Sequence, residues 1–112
     1  MPQGSAAVSR AITRLRVLGE RQRKEIHGSF LVELENYSRH AVVRDLRPAL
    51  LEDLLVRLGT EAMRRGGQSV GGGVVRKTLM DLCPDPFDDC SSAADSLLGL
   101  RADGDASEGN TL

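Results

Sequence analysis

The stretch "VVRDLRP", residues 42–48, decides how the chain around it is interpreted. Its two β-branched valines favour an extended strand, whereas the proline that ends it suits the first position of a helix. The stretch is therefore either the approach to a helix or a short strand that presents Arg44 to a partner. Fold and function both depend on that choice.

A helix is predicted directly after this stretch, because Pro48 fits its first position and Gly66-Gly67 fit its end. Apolar residues recur along one broad face of this helix, which is typical of packing against a core. They are Leu50, Leu51, Leu54, Leu55 and Leu58.

Three further helices are predicted from apolar spacing. The first runs from Ala6 to about Lys24. The second lies in "EIHGSFLVELENYSRH", residues 25–40, which also shows some strand alternation, and it is predicted to end near residues 36–38. The third lies in "QSVGGGVVRKTLMDL", residues 68–82, where Ser69 is a candidate N-cap.

The first predicted helix carries a basic stripe, in which four cations gather within about 80° at 100° per residue. They are Arg10, Arg14, Arg21 and Lys24. The stripe is either the solvated charged face of an ordinary helix or a surface that follows the phosphates of DNA or RNA.

Charge is distributed unevenly along the chain. Residues 1–82 carry 14 Lys/Arg against 9 Asp/Glu, and residues 83–112 carry one Arg against 7 acids. A basic body suggests an anionic partner, unless the acidic tail simply shields it. The tail, residues 84–112, is predicted to be disordered in isolation. Its apolar patch "SLLGL", residues 96–100, either folds onto a partner's groove or has no role.

The sequence favours binding over catalysis. No nucleophile–base pair, metal cluster or cleft carboxylate pair is recognisable, so no enzyme activity, cofactor or metal is predicted. Cys83 and Cys90 are expected to be free thiols. No apolar run approaches the roughly 20 residues that span a bilayer, and residues 1–10 lack the order of a secretory signal. We therefore expect a cytoplasmic protein without a membrane partner.

Three motifs, taken in order, resemble the ribbon-helix-helix repressors, particularly the antitoxin type found in toxin–antitoxin operons. The resemblance predicts a mostly α, ribbon-helix-helix-like dimer with a basic helical leader over residues 1–39, a core over residues 40–83 and an acidic tail over residues 84–112. The chain departs from the family pattern in its long first helix, its triple glycine and Gln68 in the turn. The matching motifs are "VVRDL" (42–46), "GGQS" (66–69) and "VVRKTL" (74–79).

The resemblance implies a DNA-binding transcriptional repressor. Strands from two chains would pair and enter the major groove, with His40, Val42 and Arg44 on the face toward the bases. Arg44 would contact guanine, and the amides at Ser69 and Val70 would bind a phosphate. The leucines would form a shared homodimer core, and the acidic tail would bind a protein partner such as a toxin.

The alternative is an all-α helical hairpin or bundle that self-associates and serves as an interaction module. Its basic first helix would bind double-stranded RNA through backbone and shape, or it would dock on a partner protein. A strand over residues 40–46 favours the repressor, and a helix there favours the module.

Overall fold

The computed structural model describes residues 3–82 and 97–98. Within residues 3–82 the chain forms five helices and two short strands, so this part is mostly α, as the sequence predicts. The elements are α1 (Gln3–Arg21), β1 (Glu25–Ile26), α2 (Gly28–Ser38), α3 (Ala41–Arg44), α4 (Pro48–Arg65), β2 (Ser69–Val70) and α5 (Gly72–Leu82).

The order helix, strand, helix occurs twice in the chain. The first unit, residues 3–38, comprises α1, β1 and α2, and the second unit, residues 48–82, comprises α4, β2 and α5. The strands of the two units lie 44 residues apart, and the helices that follow them begin at the same spacing. The short helix α3 connects the two units.

The two units meet in register at their strands. β1 and β2 pair in parallel, with Glu25 opposite Ser69 and Ile26 opposite Val70. The N–H of His27 donates to the carbonyl of Val70 at 2.9 Å. Residues that occupy the same place in the two units therefore face each other across this small sheet.

The hydrophobic core lies between the two units, where α1 packs on α4 and α2 packs on α5. The leader predicted over residues 1–39 is part of this core, since α1 and α2 both supply fully buried side chains. For the described residues the core is closed within one chain, and the predicted homodimer stays a prediction. The largest fully buried side chains are Leu15, Phe30, Leu34, Tyr37, Val43, Leu51, Leu54, Leu55, Leu58, Met63, Val70 and Val75.

A glycine sets how closely α1 approaches α4. A Cβ atom added at Gly59 would lie 2.4 Å from Cδ1 and 2.7 Å from Cδ2 of Leu15, which is itself fully buried. Both distances are far shorter than a carbon–carbon contact allows. The helices can therefore pack this closely because position 59 has no side chain.

The strand predicted over residues 40–46 is wrong. Ala41–Arg44 form the helical turn α3, in which the N–H groups of Val43 and Arg44 donate to the carbonyl of His40. Val43 is fully buried against the other helices. β-propensity is a weak preference that packing overrides, and Val43 is buried here within a helical turn. The chain becomes extended at Arg47, as expected before a proline.

The predicted helices themselves are confirmed. α4 begins at Pro48 and is followed by Gly66 at its C-cap, and α2 ends at Ser38. The N-cap predicted at Ser69 is wrong, because Ser69 lies in β2 and α5 begins at Gly72. The predictions for both cysteines and for the tail, apart from residues 97–98, fall outside the described residues.

Candidate interaction surface

Two members of the predicted basic stripe are paired within the fold. Arg10 Nε lies 2.7 Å from Glu52 Oε1, and Arg14 Nη1 lies 3.0 Å from Glu52 Oε2. The hydrogen bond from Arg10, supported by that from Arg14, lowers the pKa of Glu52 below its usual value. Both arginines thereby link α1 to α4, and about half of each side chain stays exposed.

The other two members of the stripe differ from each other. Lys24 is half-buried, and its Nζ donates to the carbonyls of Met63 and Gly66, which end α4. A cation at the C-terminus of a helix satisfies carbonyls that have no partner inside the helix. Arg21 is exposed and has no acidic partner among the described residues. The stripe is thus largely a set of contacts between the two units.

The residues predicted to contact DNA bases lie within or directly before a helical turn and not on a strand. His40 precedes α3 and is exposed, and Val42 lies within α3. Arg44 is exposed, with Nε 4.0 Å from Oδ1 of its neighbour Asp45. An exposed ion pair of this length contributes little to stability. These residues cannot form the alternating face that the ribbon requires.

Ser69 takes part in a small polar cluster across the strand pair. Its hydroxyl donates to Glu25 Oε1 at 2.9 Å and lies 3.2 Å from Nε2 of His27. Catalysis of the Ser-His-acid type needs the acid on the far nitrogen of the histidine, where it orients the base. Here the carboxylate contacts the serine instead, and all three side chains are exposed. The cluster is therefore arranged to join β1 and β2.

A groove lies on the side of the second unit where α4 and α5 meet. It is an open groove of about 350 Å³. We call it the α4–α5 groove. It is lined by Val56, Arg57, Thr60, Glu61, Leu82 and Leu97.

The floor of the groove is apolar although it includes a threonine. The Thr60 hydroxyl donates to the Val56 carbonyl at 2.7 Å, so its hydrogen-bonding capacity is used within α4. The methyl group of Thr60 is the part left for contacts beyond the helix. With the side chains of Val56 and Leu82, it gives a surface suited to an aliphatic side chain.

The rim of the groove is charged and holds the two helices together. Arg65 pairs with Glu61 on its own helix and with Asp81 on α5. Hydrogen bonds from Arg64 and Arg65 lower the pKa of Glu61 to about 2. The carboxylate therefore stays ionised throughout the physiological range.

A segment from the tail lies against this groove. Leu97 and Leu98 are helical, half-buried, and packed against the core. Arg57 Nη1 donates to the Leu97 carbonyl at 3.2 Å, and its Nε contacts Asp53 at 2.8 Å. Leu97 thus forms part of the wall of the groove and is held there by one hydrogen bond to its carbonyl.

The sequence left open whether the apolar patch over residues 96–100 folds onto a partner's groove or has no role, and it did not predict that Leu97 lines a groove of this chain. Val56, Thr60 and Leu82 come from two helices, and their proximity depends on how α5 returns onto α4. The signal that was available is the apolar pair in an otherwise acidic, polar tail. The partner surface could not be located without the fold.

Comparisons with family models, with curated proteins and with solved structures return no match to this chain. Within the described ranges, no group of three or more His, Cys, Asp or Glu side chains is placed to hold a metal ion. No described helix combines the length and the apolar character that crossing a bilayer requires.

Proposed function

We propose that this chain is a helical protein-interaction module that binds a short, leucine-containing segment in the α4–α5 groove. The observation that carries the proposal is the position of Leu97 and Leu98, which pack beside this groove while Arg57 holds the Leu97 carbonyl. Helix-lined grooves of this kind bind short apolar segments through a few anchor side chains.

The chemistry of the groove defines the partner segment. Val56, Thr60 and Leu82 accept aliphatic side chains, and the guanidinium of Arg57 offers a donor to a backbone carbonyl. Full burial of a leucine contributes about 2 kcal/mol. Two such anchors give about 4 kcal/mol before the cost of ordering the segment, which corresponds to an affinity of about millimolar or weaker. We therefore expect transient binding.

This function replaces the predicted mechanism, in which a β-ribbon contacts the bases of DNA. That mechanism needs extended chains over residues 40–46, and Ala41–Arg44 form a helical turn. The module does not need a second copy for its core, because the two units of one chain pack on each other. Self-association remains a separate prediction.

Peptide titration tests the proposed function. The probe is a fluorescently labelled peptide with the sequence of residues 91–101, measured by anisotropy against the full chain and against a Leu97→Ser/Leu98→Ser variant. We expect saturable binding to at least one of these chains and its loss when Val56→Glu is added to that chain. A peptide that binds neither chain, or that binds equally well after Val56→Glu, would contradict the proposal.

A second candidate function is binding to a nucleic-acid backbone through the end of α1. Arg16, Arg21 and Arg23 are exposed and have no acidic partner among the described residues. Three free guanidinium groups within eight positions form a surface that phosphates can approach.

Salt dependence tests this second candidate. Binding to double-stranded RNA or DNA should weaken with salt, and Arg16→Gln/Arg21→Gln should reduce the slope of log K against log salt by about 2. The matched control is Arg10→Gln/Arg14→Gln, which removes the same charge from residues already paired with Glu52. An equal effect of the two double substitutions, or no binding, would contradict a surface at the end of α1 that binds nucleic-acid phosphates.

A further inference from the structure

We propose that Arg23 is the principal phosphate contact of this chain, and that the turn after α1 holds it in a strained backbone conformation in order to bind a nucleic-acid backbone. This inference rests on the second candidate function and names the residue on which that function depends. Arg23 is exposed, has a φ of 55°, and has no acidic partner among the described residues. Charge, exposure and backbone strain therefore coincide at one residue.

The end of α1 forms a Schellman motif, in which two backbone hydrogen bonds close the last helical turn. The N–H of Lys24 donates to the Gly19 carbonyl at 2.8 Å, and the N–H of Arg23 donates to the Glu20 carbonyl at 3.1 Å. The first residue after the cap of such a motif is left-handed, and glycine is usual there because it has no Cβ atom. This chain has Arg23 at that position instead.

The second unit ends its first helix differently. Gly67 stands 44 residues after Arg23, at the matching position, and its backbone is not left-handed. The cap of α4 is Gly66, which is extended. Glycine thus occupies the turn that does not require it, while arginine occupies the turn that favours it, at a cost in backbone strain.

The structural roles open to a cation at this helix end are filled without Arg23. Lys24 satisfies the carbonyls at the end of α4. Three backbone N–H groups satisfy the carbonyls in the last turn of α1, and Arg21 supplies a positive charge to the negative end of its dipole. A residue that is held in a strained conformation without a structural need for its side chain points to a role in binding.

The surrounding charges leave the guanidinium of Arg23 available to an external anion. Residues 3–82 contain 9 Asp/Glu, and seven of these carboxylates pair with cations of the fold. Of the other two, Glu25 accepts from Ser69, and Glu20 has no cationic partner among the described residues. With Arg21 also exposed, the turn keeps a net positive charge, which attracts phosphate.

The turn holds this charge on a rigid base. The Glu25 N–H donates to the Gln68 carbonyl at 2.8 Å, and Lys24 Nζ donates to the Gly66 carbonyl at 3.1 Å. The backbone of Arg23 is thus fixed by α1 on one side and by the second unit on the other. A preorganised backbone lowers the entropy lost upon contact, and a guanidinium can donate two parallel hydrogen bonds to one phosphate.

The test measures binding of a labelled RNA duplex of about 20 base pairs, and of the DNA duplex of the same sequence, to full-length chains at several salt concentrations. Arg23→Gly should bind about eightfold more weakly at about 0.1 M salt, and it should lower the slope of log K against log salt by about 1, because one phosphate contact is lost. In urea denaturation the same variant should be at least as stable as the unaltered chain, since glycine relieves the strained φ. Weaker binding by a chain that is no less stable is a result that a purely structural role would not produce.

Three full-length controls separate the charge from the backbone. Arg23→Lys keeps the charge and should retain most of the salt slope. Arg76→Gln removes the same charge from α5, where Arg76 Nε lies 3.6 Å from Glu33, and should bind nearly as the unaltered chain does. Glu20→Gln removes the unpaired carboxylate beside the turn and should tighten binding about twofold.

The other outcomes have distinct meanings. Equal binding by Arg23→Gly and the unaltered chain overturns the role of Arg23, and a loss in Arg16→Gln/Arg21→Gln would then still support the second candidate function. Equal losses in Arg23→Gly and Arg76→Gln also overturn the inference, because total charge alone would then decide binding. A loss of both binding and stability in Arg23→Gly assigns the residue a structural role. No duplex binding by any chain removes the second candidate function itself.

Discussion

The two units place residues of different size at matching positions of their interface. In the first unit Ala7 and Ala11 are buried where the second unit, 44 residues later, has Leu51 and Leu55. At the third matching position the order reverses, and the first unit has Leu15 where the second has a glycine. At this third position the leucine of one unit lies against the glycine of the other, which lets the two helices pack at close range.

The two units also differ in charge, and the difference explains the basic stripe. Arg10, Arg14 and Lys24 all belong to the first unit, and all contact the second, at Glu52 and at the carbonyl end of α4. A stripe of cations on one helix is therefore compatible with a structural role. The first unit therefore stabilises the second, while the second carries the groove.

Truncation of Leu15, which packs against Gly59 of α4, should have the largest effect on stability. Leu15→Ala leaves a cavity opposite Gly59, and we expect a loss of about 3 kcal/mol in the free energy of unfolding. Urea denaturation followed by circular dichroism measures it. The control is Val17→Ala on the same helix, which alters an exposed side chain and should change stability by less than about 0.5 kcal/mol. Independent unfolding of the two units, seen as two transitions, would contradict a shared core.

Replacement of Lys24, which hydrogen-bonds to carbonyls at the end of α4, should have the next largest effect on stability. Lys24→Met keeps much of the aliphatic stem but removes the donor to the carbonyls of Met63 and Gly66. We expect a loss of about 2 kcal/mol, as for hydrogen bonds that involve a charged group. Lys77→Met, an exposed position on α5, is the matched control and should be nearly neutral. Equal effects at both positions would show that the two units are not joined through Lys24.

Acid should weaken the rim of the groove. The pKa of Glu61 is lowered from 4.5 to about 2, so its contribution to stability is present above about pH 4.5 and is lost as the pH falls toward 2. Since the carboxylate is partly exposed, we expect a change of about 1 kcal/mol. Thermal unfolding at several pH values measures it, and Glu61→Gln should flatten this part of the profile. An unchanged profile in that variant would assign the pH dependence to other carboxylates.

The smallest expected effect concerns the turn after α1. Arg23 has a φ of 55°, in the left-handed region that costs a residue with a Cβ about 1 kcal/mol. Arg23→Gly removes that cost but makes the unfolded chain more flexible, so we expect a net gain of about 0.5 kcal/mol. Arg21→Gly, in the last turn of α1, should instead destabilise by about 1 kcal/mol. Loss of stability in Arg23→Gly would contradict a strained turn.

The helices could be predicted because their signals are local. Pro48 and Gly66 mark the ends of α4, and the spacing of its leucines marks its buried face. The strand over residues 40–46 was predicted wrongly because Val43 has high β-propensity and its burial depends on helices that are distant in sequence. The local sequence favours a helix cap at Ser69, because its partner in the sheet lies 44 residues away.

The site was harder to predict than the fold for the same reason. A helical wheel correctly placed Arg10 and Arg14 on one face, but their common partner Glu52 lies on another helix. The groove combines residues of α4 and α5 with Leu97, and no short motif contains all three. Local patterns thus predicted the elements, while contacts between the units decided what each charged residue does.

The most direct test of the central claim is an NMR measurement of the contact between the two units. We expect a nuclear Overhauser effect between the Leu15 methyl groups and the Hα protons of Gly59 within a single chain, together with helical chemical shifts over residues 41–44. In a sample that mixes isotope-labelled and unlabelled chains, an intermolecular experiment should show no such effect. Its appearance only between chains, or extended shifts over residues 41–44, would contradict the account.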